Sequence, residues 1–175
     1  MKYGFIGTGN MGAALAQAVC RAVPPEEVLL CNRTEEKALR LARALGCHTG
    51  TKEAAARCRY VFLGVKPQGM AELLAGLRPV LEENREVVLV SMAAGISMAQ
   101  LCQLAGREVP VMRLMPTTPV ACGQGVVLWC GNALLSAEDR AALTSALAGA
   151  GLVEELREEL MDAGSALCGC SPAFT

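Results

Sequence analysis

Three glycines near the start of the chain have a spacing that can do chemistry. In GFIGTGNMG, Gly7, Gly9 and Gly12 form a GxGxxG pattern, which suits a diphosphate held on main-chain amides. The first glycine permits a tight turn, the second lets backbone approach the anion, and the third lets a helix pack closely on a strand. Thr8, Asn10 and Met11 complete the same loop. Glycines also serve ordinary turns, so the context decides: an apolar strand at residues 2–6 precedes the motif and an alanine-rich helix from about Met11 to Ala22 follows it.

Further along, a site preferring NAD usually offers an Asp or Glu to the ribose hydroxyls about twenty residues past the glycines. Here stand Cys31, Asn32, Arg33 and Thr34. With no carboxylate to repel a 2′-phosphate and a guanidinium able to bind it, NADP(H) is expected over NAD(H). A solvated arginine at a helix start is the plainer reading of Arg33. GVKPQ places Val65, Lys66 and Pro67 at the end of another strand, where Lys66 can reach a ribose or phosphate. MAAGIS places Ala93, Ala94 and Gly95 at the end of the next, where small side chains leave room for a nicotinamide ring. Each of these, taken alone, also reads as a strand-to-helix turn. No metal site is expected, because the CxC pair Cys168 and Cys170 lacks further ligands and His48 is the only histidine.

These residues need a scaffold that brings strand ends together. Apolar runs at 28–31, 60–65, 86–92, 109–115, 125–131 and 152–156 read as strands, with a short one near Cys47. Helices are expected after Thr34 through Leu45, from Lys52, from Pro67, near Ser97 to Leu104 with Ser97 as cap, and from about Ser136 to Ala148; Pro24 and Pro25 end the first helix. Continuous apolar strands alternating with helices predict an α/β fold of the Rossmann type, doubly wound, with a mostly parallel sheet and helices on both faces.

The 175 residues are enough for one α/β domain around one core. A net charge of -1 provides no basic field, so neither nucleic acid nor a membrane surface is an expected partner and phosphate must be bound locally. The opening MKYGFIGTG has no secretory pattern, which leads to a cytoplasmic expectation. Nine scattered cysteines then read as free thiols, most of them acting as small core hydrophobes. The charge-free stretch Leu114 to Ala137 is long enough to span a bilayer, but Pro116, Pro119, Gly123, Gly125 and Gly131 make it buried strand and loop instead.

Taken in order, GFIGTGNMG, NRT, GVKP, SMAAGIS and RLMPTTP resemble the N-terminal domain of pyrroline-5-carboxylate reductases, and ALCGCSPAF resembles that family's ALSGSGPAY. The resemblance spans nearly the whole chain. Its most distinguishing element is RxMPNxP: Arg113, Met115, Pro116 and Pro119 match it, and Thr117 stands where the family usually has Asn. In the tail, Cys168, Cys170 and Ser171 replace Ser, Ser and Gly.

The resemblance implies an oxidoreductase of proline biosynthesis that reduces the small imine 1-pyrroline-5-carboxylate with NADPH, with Met115, Pro116 and Thr117 beside the substrate. No general base is required, since the protein chiefly orients two reactants. It also implies a homo-oligomer built through a helical C-terminal domain that supplies much of the substrate pocket. The expected division is a dinucleotide-binding domain over 1–156 and the opening of a truncated helical domain over 157–175. On that division the chain alone is expected to bind NADP(H) and to reduce the imine poorly or not at all. One alternative is a non-catalytic NADP-binding module with a sensing or interaction role. Another is the β-hydroxyacid dehydrogenase group, whose opening is similar; the RxMP element argues against it.

Overall fold

Strand and helix alternate along most of the chain because each apolar run is too short to stand alone and must be covered. The computed structural model describes residues 1–170, and side chains as far as Cys168. Eight strands follow in order: β1 (Tyr3–Ile6), β2 (Val28–Cys31), β3 (His48–Thr49), β4 (Tyr60–Leu63), β5 (Val88–Ser91), β6 (Val111–Pro116), β7 (Gly125–Gly131) and β8 (Gly151–Glu155). Seven α-helices lie between and after them: α1 (Asn10–Ala22), α2 (Glu35–Leu45), α3 (Lys52–Ala56), α4 (Pro67–Glu83), α5 (Met98–Ala105), α6 (Ala137–Leu147) and α7 (Met161–Ser165). One sheet has the order β3-β2-β1-β4-β5-β6-β7-β8. Every pairing is parallel except β6 with β7.

The expected Rossmann-type architecture is therefore present, with one antiparallel pairing inside it. The reversal has a local cause: residues 117–124 are too few for a crossover of about a dozen residues, so β7 must return beside β6. The 3-10 turn Thr118–Cys122 makes that return. Arg21, near the end of α1, fastens the turn by donating to the carbonyls of Val120 and Ala121 at 2.7 Å and of Gly149 at 2.8 Å.

The single core expected from length is split by the sheet into two layers. Tyr3, Phe5, Tyr60 and Phe62 point to the side covered by α1, α2 and α6, while Ile6, Val61, Leu63 and Leu89 point to the side covered by α3, α4, α5 and α7. Alternation along each strand makes this division unavoidable. At the centre, Phe5 stacks on Phe62 at 4.3 Å and Tyr3 on Tyr60 at 5.5 Å between centroids, tying β1 to β4.

Some local expectations need correction. Thr34 stands at the cap position of α2, but its side chain makes no cap bond; the Asn32 amide instead donates to the Thr34 carbonyl at 3.1 Å. Ser97 does cap α5, in a reciprocal box with Gln100. Of the eight described cysteines, only Cys58, Cys102 and Cys130 are buried; Cys20, Cys31, Cys47 and Cys168 are half-buried and Cys122 is exposed. The charge-free stretch is strand and turn, and among the described residues no helix is long and apolar enough to cross a membrane. After β8 the chain forms a 3-10 turn, α7 and a π turn, Ala166–Cys170, with Met161 buried in the layer shared with α5. Ser171, with the rest of the expected family-like tail to Thr175, lies outside the described residues.

Candidate functional site

Parallel pairing of β2, β1, β4, β5 and β6 brings their carboxyl ends to one edge of the sheet, so the loops that follow them are neighbours in space. Gly7 begins the β1–α1 loop with φ of +96°, a conformation that L side chains rarely adopt. A methyl group there would also lie 2.7 Å from the Gly64 carbonyl oxygen. Methyl groups at Gly12 and Gly64 would both collide with the Gly7 carbonyl oxygen. Three glycines thus let α1 and the end of β4 close on the same turn. Gly9 differs from them: a methyl group there would meet nothing within 4 Å.

The amino end of α1 is left open to an anion. Its cap residue is Gly9, no side chain caps it, and its first turn holds no acidic residue. The first helical bond runs from the Ala13 amide to the Gly9 carbonyl at 2.8 Å. The amides of Gly9, Asn10, Met11 and Gly12 therefore have no acceptor within the helix, and the helix dipole favours negative charge there. The Thr8 amide is held by Asn32 Oδ1 at 3.0 Å, which locks the glycine loop to the β2–α2 loop. Thr8 Oγ1 is buried without a hydrogen-bond partner.

Beside this loop lies a cleft of about 1220 Å³, lined by Gly7, Gly9, Asn32, Arg33, Val65 and Lys66 among others. That exceeds the roughly 300–1,000 Å³ of ordinary small-molecule pockets. Thr8, Asn10, Met11, Gly12 and Pro67 belong to the same loops without lining its wall. Pro67 occupies the first turn of α4, where its missing N–H costs nothing. The wall also holds residues that sequence reasoning missed: Leu39 and Leu73 as apolar surface, and Lys52 as a third cation beside Arg33 and Lys66. Lys52 directly follows the capping residue of α3, a position past a strand end that would have signalled it. Glu35 and Glu72 oppose the three cations, so the wall carries little net charge. Cys31 also faces the cleft; burial, helped by Glu53 and Glu35 and opposed by Lys52, pushes its thiol up.

The other expected residues lie farther along the same edge. Ala93, buried, and the exposed Ala94 and Gly95 follow β5, and Gly95 has φ of +77° with open space at its Cβ position. The Ala93 amide is held by the buried Ser91 hydroxyl at 3.2 Å. Met115, Pro116 and Thr117 are half-buried at the end of β6. Met115 leans on the core layer beneath α5, and the Thr117 hydroxyl accepts from the Val126 amide at 2.9 Å. Among the described residues no cluster of three or more His, Cys, Asp or Glu side chains has the makings of a metal site.

Residues 2–95 match the profile of the family described as NADP oxidoreductase, coenzyme F420-dependent. The chain belongs to this family. Over 173 residues it is 35% identical to the pyrroline-5-carboxylate reductase of Corynebacterium melassecola, covering 97% of the chain and 64% of the relative. Over 176 residues it is 31% identical to that of Aquifex aeolicus (strain VF5), covering 99% and 64%. The crystal structure of Plasmodium falciparum pyrroline carboxylate reductase with NADP bound matches with a TM-score of 0.86 at 26% identity, over 99% of this chain and 64% of that one. The chain spans just under two thirds of the length of the curated relatives it matches. It is a reductase-like NADP-binding domain, as the motif series implies.

The residues present fit such a cofactor. The open space at Gly9 and the four amides of α1 without an acceptor are what a bound diphosphate requires.

Proposed function

We propose that this chain is the cofactor-binding part of an NADPH-dependent reductase that converts 1-pyrroline-5-carboxylate to proline. The observation that carries the reading is the uncapped amino end of α1, whose amides face open space beside Gly9. The relatives' activity supports the choice of substrate.

In this reading the amides of Gly9 to Gly12 bind the diphosphate, and Asn32 holds the loop by its bond to the Thr8 amide. Arg33 pairs with the 2′-phosphate and Lys66 with the adjoining ribose, while Leu39 and Leu73 offer apolar surface to the adenine. Ala93, Ala94 and Gly95 leave room for the nicotinamide, and Met115, Pro116 and Thr117 border the substrate. When bound, the reduced nicotinamide supplies the hydride that, with one proton taken up by nitrogen, turns C=N into CH–NH. The chain's own task is to orient the two reactants and keep water from between them. The stretch after β8 would lead into a helical domain of the kind implied by the resemblance, which would supply the other wall of the substrate pocket and the contact between subunits.

Calorimetric titration with NADPH and NADH tests the cofactor half; NADPH is expected to bind more tightly, and no heat from either overturns the reading. An assay for loss of NADPH absorbance with pyrroline-5-carboxylate tests the other half. Slow or no turnover is expected from the chain alone, rising when a helical C-terminal fragment of a reductase is added. NADPH binding without turnover in either case favours a second reading, a nucleotide-binding module without catalysis. One observation favours that alternative: the Thr117 hydroxyl, at the position where the reductases usually carry Asn, is occupied with the Val126 amide.

A further inference from the structure

Beyond the cofactor cleft, one guanidinium is buried with few partners. Arg113 on β6 is 5% exposed, and its Nε has no hydrogen-bond partner. Two carboxylates compensate its charge, those of Glu158 and Asp162, each 3.5 Å away. That exceeds the roughly 2.7–2.9 Å of a charge-assisted bond, so neither grips Arg113 firmly. Asp162 is largely exposed and Glu158 half-buried, which leaves Glu158 as the better shielded counter-charge.

Glu158 has a second bond. Its Oε1 accepts from the Met98 amide at 2.9 Å. The Ser97 and Gln100 amides are taken by the side chains of Gln100 and Ser97 at 2.8 and 3.1 Å. Three side-chain oxygens therefore close the amino end of α5, and Glu158 is the one that comes from outside the helix. Met98 begins the helix that carries the Ala93–Gly95 loop, and Arg113 lies on the strand that leads into Met115–Thr117. A single carboxylate thus links the supports of both loops.

We propose that Glu158 is a positioning residue that sets the separation between the Ala93–Gly95 loop and the Met115–Thr117 loop, and with it the width of the chamber for the nicotinamide and substrate. The proposal rests on reading the edge as an NADPH site, and its test separates the two. NADPH is compared with 2′,5′-ADP, which carries the adenine half and the 2′-phosphate but no nicotinamide. Glu158→Ala is expected to weaken NADPH about tenfold while leaving the affinity for 2′,5′-ADP unchanged. Glu158→Gln, which keeps an acceptor for the Met98 amide, is expected to restore most of the loss. Equal weakening of both ligands, or no change in either, overturns the proposal.

Should the unmodified protein bind neither ligand, the cofactor reading fails, and amide hydrogen exchange decides the role of Glu158. Faster exchange in Glu158→Ala at Gly95 and Ile96 together with Thr117 and Val126 supports the coupling. Faster exchange confined to Met98 overturns it.

Discussion

Gly9→Ala and Gly12→Ala each add one methyl group to the same loop, yet the structure assigns them different consequences. At Gly9 the backbone has φ of -67°, which alanine adopts freely, and the new methyl group meets no atom within 4 Å. The folded protein should lose only the small advantage of glycine over alanine at a cap, about 0.5 kcal/mol, or roughly 1–2 °C in melting temperature. In the proposed reading the same methyl group would occupy the space through which a diphosphate approaches the α1 amides. Losing two charge-assisted hydrogen bonds costs about 3 kcal/mol, roughly a 150-fold loss in NADPH affinity.

At Gly12 the methyl group would overlap the Gly7 carbonyl oxygen, which is main chain and cannot rotate away. Helix α1 must then withdraw from the β1 turn at about 1–3 kcal/mol, lowering the melting temperature by roughly 2–12 °C along with NADPH affinity. Thermal melts followed by the fluorescence of Trp129, the only tryptophan, and calorimetry with NADPH read both quantities. If Gly9→Ala binds NADPH as well as the unmodified protein, no diphosphate sits on the α1 amides. If Gly9→Ala melts as early as Gly12→Ala, the space at Gly9 is not open.

Two further substitutions follow from the same structure. Arg33→Ala should weaken NADPH about tenfold and leave NADH unchanged in parallel titrations, and equal losses would remove Arg33 from the 2′-phosphate site. Asp139, 3% exposed, accepts from Arg59 at 2.8 Å, from Tyr60 at 2.9 Å and from Ser136 at 2.8 Å. Burial pushes its carboxyl up, but the hydrogen bonds from Arg59, Ser136 and Tyr60 outweigh burial and hold it below its ordinary 3.8. The unfolded chain therefore binds this proton more readily, so the stabilisation is complete above about pH 5 and is lost as pH falls through the depressed value. Asp139→Asn should cost about 2 kcal/mol at neutral pH, less than a fully buried pair because Arg59 keeps 33% of its side chain exposed. Urea melts of both proteins should converge at acid pH, and parallel curves down to the lowest pH would contradict this account.

Where a residue's type alone limits the backbone, the sequence was readable. Gly7, Gly12, Pro67 and Ser97 each have a physical reason to stand at a turn, a close approach, a helix start or a cap, and the structure uses all four in those ways. The antiparallel return of β7 was less visible, because nothing in GVVLWCG encodes direction; the shortness of residues 117–124 does, but only once both strands are placed. The cleft walls were harder still. Leu39 and Leu73 look like any helical leucines until folding turns them toward the strand ends. The Arg113–Glu158 contact joins residues far apart in the chain through a crossing beneath the sheet, and no local spacing announces it.

The meeting of Gly7, Gly12 and Gly64 has a consequence for how this edge can change over time. The seat of the loop is peptide against peptide, and apart from the Asn32 amide that holds Thr8 its position does not depend on the surrounding side chains. Under the proposed reading, substitutions at Cys31, Leu39 or Lys52 would retune which nucleotide is preferred without shifting the anchor, whereas the three glycines can hardly vary at all. Preference and grip would then be carried by separate sets of atoms, and one could drift while the other stays put.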